Sequence, residues 1–226
     1  MAAPPTAAPT TAVPATTAPT TAAPTTAAPT STAPTTAGGP YNDNAAVIPG
    51  IIEAEFFDTG GEGFGYHDKN PGQPPAEFRT DEGPGVVEMD DDPGNFVLGW
   101  IEAGEWLRYT VDVSEDVDRF DFKFVTTIAT SSASVRVVAG ATDESDPCGT
   151  YQLDLSGPLT GFPATSSGGR AGAVPQEFNT SGGAVDGLPA GPAVVWLCII
   201  SEGLNVDSFE LLLPTPEGKP LNCIVV

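Results

Sequence analysis

The chain has 226 residues and carries 30 acidic against 8 basic side chains, a net charge of -22 with its single histidine neutral. A surface that acidic repels phosphate backbones and anionic lipid, which excludes nucleic acid and a membrane surface as partners, and it attracts cations. No apolar run approaches the length of a membrane span, and Met1 leads into a Pro/Thr tract with neither a charged start nor an apolar core, so no signal peptide is read.

Residues 1 to about 40 are almost entirely Ala, Pro and Thr, with Pro4, Pro9, Pro14, Pro19, Pro24, Pro29 and Pro34 recurring every fifth residue. Such a tract has no apolar bulk to offset the entropy of ordering, and it predicts a disordered, extended linker. Threonine packed beside proline also fits an O-glycosylated, mucin-like stalk, which makes sense outside the cell or in a cell wall. All the charge falls in residues 41–226, which are long enough for one well-buried domain.

That domain reads as short strands between glycine-rich turns. Val47 to Phe57 (VIPGIIEAEFF) is a first strand, followed by a Gly/Pro-rich loop and a short strand at Val86-Val87. EMDDDPGN is a polar turn. Val97 to Val113 (VLGWIEAGEWLRYTVDV) alternates on both sides of Ala103-Gly104, the pattern of two strands joined by a tight turn. Alternation returns in RFDFKFVTT (119 to 127) and ASVRVVA (133 to 139), then in YQLDL (151 to 155). Ser156 to Ala173 reads as loop, and Gln176 to Phe178, AVVWLCII (193 to 200) and VDSFELLL (206 to 213) complete the set. No stretch has helical periodicity. Eight or more short strands in one domain predict an all-β antiparallel sandwich, or jelly roll, with binding loops gathered at its ends.

Trp100 falls at a strand end, where a flat ring with a polar edge suits a sugar face; Trp106 lies inside its strand and reads as core. Glu53 and Glu55, two apart on one strand, project from the same face, and like charges that close are costly unless a cation shares them. If the last strand pairs with the first, Asp207 joins them in a hard oxygen cage suited to Ca²⁺; the alternative is that Glu53 and Glu55 simply face solvent on an edge strand. Cys148, Cys198 and Cys223 allow one disulfide with a thiol left over; Cys198 is either a buried core thiol or paired with Cys148 or Cys223. Asn179-Thr180-Ser181 is an N-glycosylation sequon, relevant only on export.

IEAE (52 to 55), GGEGFGYHD (60 to 68), GWIEAGEWLRYTVDV (99 to 113), TG (160 to 161), GLPAG (187 to 191) and GLNVDSFELL (203 to 212) together resemble family 6 carbohydrate-binding modules over roughly Ile51 to Leu213. The resemblance implies a β-jelly roll that binds glycans without cleaving them. It further implies a structural calcium at Glu53, Glu55 and Asp207, with a loop carbonyl from Phe78 to Thr80. Trp100 then corresponds to the aromatic platform, and Asn205, with donor and acceptor both, to the asparagine that meets sugar hydroxyls. Tyr66, Asp68 and Glu62 fall where the terminal sugar is contacted, with His67 between the first two. Many members hold the sugar between two aromatics; here Phe162 is the candidate for the second, and otherwise its place falls near Pro175 and the cleft is open on one side.

The resulting expectation is a monomeric, non-catalytic module that stacks a neutral polysaccharide or oligosaccharide on Trp100 and targets a parent protein to it. With one histidine, no Ser/His/Asp, Cys/His or zinc-spaced set can be assembled. The alternatives are a structural extracellular-matrix or cell-wall protein built around the stalk and a glycoside hydrolase using two of the many carboxylates.

Overall fold

A computed structural model describes residues 38–72, 76–89, 92–128, 132–162, 176–180 and 186–214; the stalk at 1–37, Pro175 and Cys223 lie outside them. After a 3-10 turn at Tyr41–Asp43 come β1 (Ala46–Ile48), β2 (Gly50–Glu53), a second 3-10 turn (Ala54–Phe56), β3 (Tyr66–His67), β4 (Gly85–Met89), β5 (Asp92–Gly99), β6 (Trp106–Val113), β7 (Asp121–Ile128) and β8 (Ser134–Ala139). A one-turn helix, α1 (Pro147–Thr150), precedes β9 (Leu153–Asp154), β10 (Leu159–Thr160), β11 (Gln176–Thr180), β12 (Gly191–Ser201) and β13 (Leu204–Leu212).

The described strands form two sheets, an antiparallel sandwich in which β1 alone of these strands pairs parallel to its neighbour. One sheet runs β1-β6-β12-β8-β10, with β3 on β6 and β9 on β8; the other runs β11-β7-β13-β5-β4, with β2 on β13. β1 is the exception in direction, lying parallel to β6 with Ala46 opposite Val111. The alternation of the sequence becomes the core. Leu107, Tyr109, Val111 and Val113 of β6, Phe122 and Phe124 of β7, Leu197 and Ile199 of β12 and Phe209 and Leu211 of β13 are all buried between the sheets.

Three local readings change. The segment from Val47 to Phe57 is not one strand, because Pro49 has no amide hydrogen for a ladder: the chain leaves the first sheet at Ile48, enters the second at Gly50, and curls into a 3-10 turn after Glu53. The polar tract before Val97 is already β5, its Asp92 opposite Met89. α1 is a single turn, too short for any periodicity, and Asp146 caps it by accepting the Gly149 amide.

Trp106 packs on the outer face of its sheet rather than between the two, with Trp196, Val138 and Cys198. Cys198 is joined to Cys148, with Cα atoms 5.8 Å apart, and this crosslink holds the α1 segment over the tryptophans. At the centre of β6, Arg108 is buried against Asp58, which also receives the Thr110 amide at 2.8 Å and its hydroxyl at 2.7 Å. That pair ties the loop carrying residues 58–68 onto the sheet.

Candidate functional site

β5 and β6 belong to different sheets, so residues 100–105 cross the end of the sandwich. The crossing makes a cleft lined by His67, Asp68, Pro84, Gly85, Trp100 and Glu105, with Gly99, Ile101 and Leu107 at its base. Trp100 stands at the mouth, 43% exposed, on a backbone with φ 54°, a left-handed conformation that bulky residues rarely adopt. Asn205, at the start of β13, is only 6% exposed. It donates from Nδ2 to Thr127 Oγ1 at 3.1 Å, and its Oδ1 lies 3.4 Å from where a Cβ on Gly99 would be. Asn205 thus lies directly behind Gly99, one of the residues at the base of the cleft.

The 60s loop supplies the other wall. His67 Nδ1 lies 2.5 Å from Glu62 Oε1, and the Asp68 amide donates to Glu62 Oε2 at 3.0 Å, so Glu62 serves to position its two neighbours. Asp68 accepts the Asn70 amide at Oδ1. Tyr66 is placed differently from the sequence expectation. It is 6% exposed, pairs with Leu107 as part of β3, packs edge-on against Phe57, and its hydroxyl accepts the Gly83 amide at 2.8 Å. Burial pushes its pKa up. Tyr66 therefore anchors the loop that leads to Pro84 and Gly85, and its ring is not offered to a ligand. Phe162 is also core, 1% exposed against Phe124 and Phe178, with ring centroids 5.9 and 4.5 Å away, and it supplies no second platform.

Glu105 was not singled out in the sequence. It is buried beside the cleft, accepts the Lys69 amide at 3.0 Å and the Glu102 amide at 2.8 Å, and burial raises its pKa. Its place at the start of β6, directly after a glycine turn, was the only available signal.

The second group of carboxylates lies where β2 meets β13, with Glu53 opposite Ser208, so the last strand does pair with the first. Glu55 is not on that strand; it sits in the 3-10 turn, buried, and still feels the charge of Glu53 and Asp207. Asp207 is the extra residue of a bulge, since Val206 faces Thr126 and Ser208 faces Val125. Bulges re-aim a side chain, which explains how Asp207 reaches the carboxylates of the neighbouring strand. Burial raises all three pKa values, that of Glu55 to about 8. Glu55 Oε2 and Asp207 Oδ1 are buried without a hydrogen-bond partner. Arg79 binds the turn from the side, donating to the carbonyls of Glu55 (3.0 Å), Phe57 and Asp58 (3.2 Å) and pairing with Glu82 at 2.6 Å. Hard oxygens with unused lone pairs and mutual repulsion fit a Ca²⁺ donor set. Among the described residues no three such groups are gathered into a coordination shell, so an ion would have to draw them inward.

These features define a class, an antiparallel β-sandwich with a tryptophan-mouthed cleft at one end. No protein-family model matches the chain and no curated protein matches it. Similar solved structures include the C-terminal family 6 carbohydrate-binding module of a marine laminarinase from Zobellia galactanivorans, 15% identical with a TM-score of 0.47, covering 72% of this chain and 97% of that one. A family 6 module from Clostridium stercorarium in complex with cellobiose is 16% identical with a TM-score of 0.46, over 75% and 98% of the two chains. A β-1,3-glucan binding family 6 module from Bacillus halodurans is 18% identical with a TM-score of 0.46, over 75% and 99%. At these values the matches carry no weight on ligand or chemistry.

Proposed function

We propose that the chain is a non-catalytic carbohydrate-binding module that stacks a sugar ring on Trp100 and targets the protein attached to its stalk to a glycan. One observation carries this reading: a large aromatic ring held out at a cleft mouth, with the nearly buried Asn205 behind Gly99 at the cleft's base. Stacking contributes on the order of 1 kcal/mol beyond the area covered, while Asn205 and Asp68 take hydroxyls. With Tyr66 and Phe162 both in the core, the ring is gripped from one side, and affinity is modest unless several modules or a tether add avidity.

The ligand is a glycan without negative charge, such as a β-glucan or galactan, because the cleft itself holds Asp68 and Glu105. Glu53, Glu55 and Asp207 would hold a structural Ca²⁺, which neutralises their repulsion when bound. Export is part of the same reading; the Cys148–Cys198 disulfide supports it, since such bonds persist in oxidising compartments.

Affinity electrophoresis of the chain through gels containing laminarin, agarose, xylan or mixed-linkage glucan, with Ca²⁺ and with chelator, tests the proposal. Retardation by at least one polymer is expected. Unchanged mobility in all four with calcium present, for a protein shown to be folded, would refute it.

A further inference from the structure

The cleft is one-sided in the hydrogen bonds it has left to make. A carboxylate only accepts, so Glu62 takes a hydrogen bond from His67 Nδ1. Asp68 Oδ2 receives no hydrogen bond from the described residues. Asn205 has its Nδ2 engaged by Thr127, which leaves Oδ1 toward Gly99, again without a donor among the described residues. Each Glu105 oxygen already accepts one backbone amide. Among the lining side chains the donors are the Trp100 indole N–H and the His67 ring, whose Nδ1 is already spent on Glu62. No lysine or arginine lines the cleft, and Lys69 turns its Nζ away to the Ala103 carbonyl at 3.0 Å and toward Glu102 at 3.8 Å.

We infer that the cleft selects sugars by the donors and positive charge they present, and that its preferred ligand class is an oligomer of unacetylated glucosamine. This deepens the carbohydrate-binding reading and rests on it. An ammonium group brings three donors and no acceptor, whereas a hydroxyl brings one donor with two lone pairs. An N-acetyl group would set a carbonyl oxygen among acceptors, and a uronate would set a carboxylate beside Asp68. The C–H face that stacks on Trp100 is common to all of these sugars, so the discrimination falls on the polar wall. The chain's net charge of -22 adds long-range attraction for the cationic oligomer.

Isothermal titration of the full chain with tetramers of glucosamine, glucose and N-acetylglucosamine, all β-1,4-linked, isolates the one substituent that differs. At about pH 6.5, where a sugar amine resembling an α-amino group stays largely charged, the glucosamine tetramer should bind roughly tenfold tighter than the glucose tetramer at low salt. The ratio should approach one near ~1 M salt, where the Debye length is about 3 Å. Asp68→Asn should shrink the ratio, and Trp100→Ala should remove binding of both tetramers, with each variant's fold checked by its melting temperature. A ratio at or below one, with the glucose tetramer still bound, overturns the inference and leaves the carbohydrate-binding function standing. Glucosamine binding that survives Trp100→Ala unchanged places the cation elsewhere on the acidic surface and also overturns it. Failure of every tetramer to bind overturns the inference, while the carbohydrate-binding reading then stands or falls on the gels containing laminarin, agarose, xylan or mixed-linkage glucan.

Discussion

Trp100 and Trp106 stand on either side of one turn and have opposite surroundings. Trp106, 3% exposed, is covered by Trp196 and by the segment that the Cys148–Cys198 bond holds down. Trp100 is 43% exposed on a left-handed backbone, with polar groups of two loops beside it. A ring with its surface already covered contributes stability, while a ring held out in a conformation it does not favour leaves surface for a ligand. Strain of that kind costs roughly 1–3 kcal/mol and persists only where the surrounding structure fixes it. On the proposed function, the two tryptophans flanking this connection between the sheets divide stability from recognition.

The largest effect that would sharpen this division is expected of Trp106→Ala, a loss of about 3–5 kcal/mol in denaturant unfolding. Glycan retardation should survive wherever the variant is folded, and an unchanged midpoint would break the division. Cys148→Ser, which frees the cover over Trp106, should cost about 2–4 kcal/mol by the same measurement.

A smaller effect concerns the carboxylates where β2 meets β13. Burial and the charges of Glu53 and Asp207 raise Glu55 from 4.5 to about 8 in the folded chain, so the folded state holds its proton more tightly than the unfolded chain does. The stabilising contribution of that protonated Glu55 is complete below the unfolded value and disappears as pH rises through about 8. Chelated protein should therefore melt at progressively lower temperature from pH 5 to about 8, with Ca²⁺ flattening the decline. A decline equally steep with calcium would remove the cation from the account. The smallest effect is that of Trp100→Ala on stability, within about 0.5 kcal/mol, as for other surface substitutions.

Much of the fold was legible because alternation sets the face of each residue: β6, β7, β8, β12 and β13 lie where apolar and polar residues alternate or where an apolar run is long enough to be buried. The pairing of β13 with β2 stood in the sequence only as a condition for Asp207 to meet the glutamates, and the fold meets that condition. What escaped were features fixed by a few residues or by distant contacts. Pro49 moved the chain between sheets, and a 3-10 turn took Glu55 off its strand. Tyr66 read as loop because its two-residue strand exists only through pairing with β6, and its burial depends on Gly83 closing over it. Phe162 falls in a Gly/Ser/Pro-rich stretch, where nothing in the sequence announces that Phe124 and Phe178 will enclose it. Glu105 is told apart from the many surface acids only by the two amides that fold back on it.

The central claim is that sugar meets this chain at Trp100. Its most direct test is to run the wild-type chain and Trp100→Ala side by side through a gel containing whichever polysaccharide retards the wild type, with matched melting temperatures and calcium present. The account predicts that the variant migrates as it does in a gel without polysaccharide. Equal retardation of the two would place the binding surface elsewhere and contradict it.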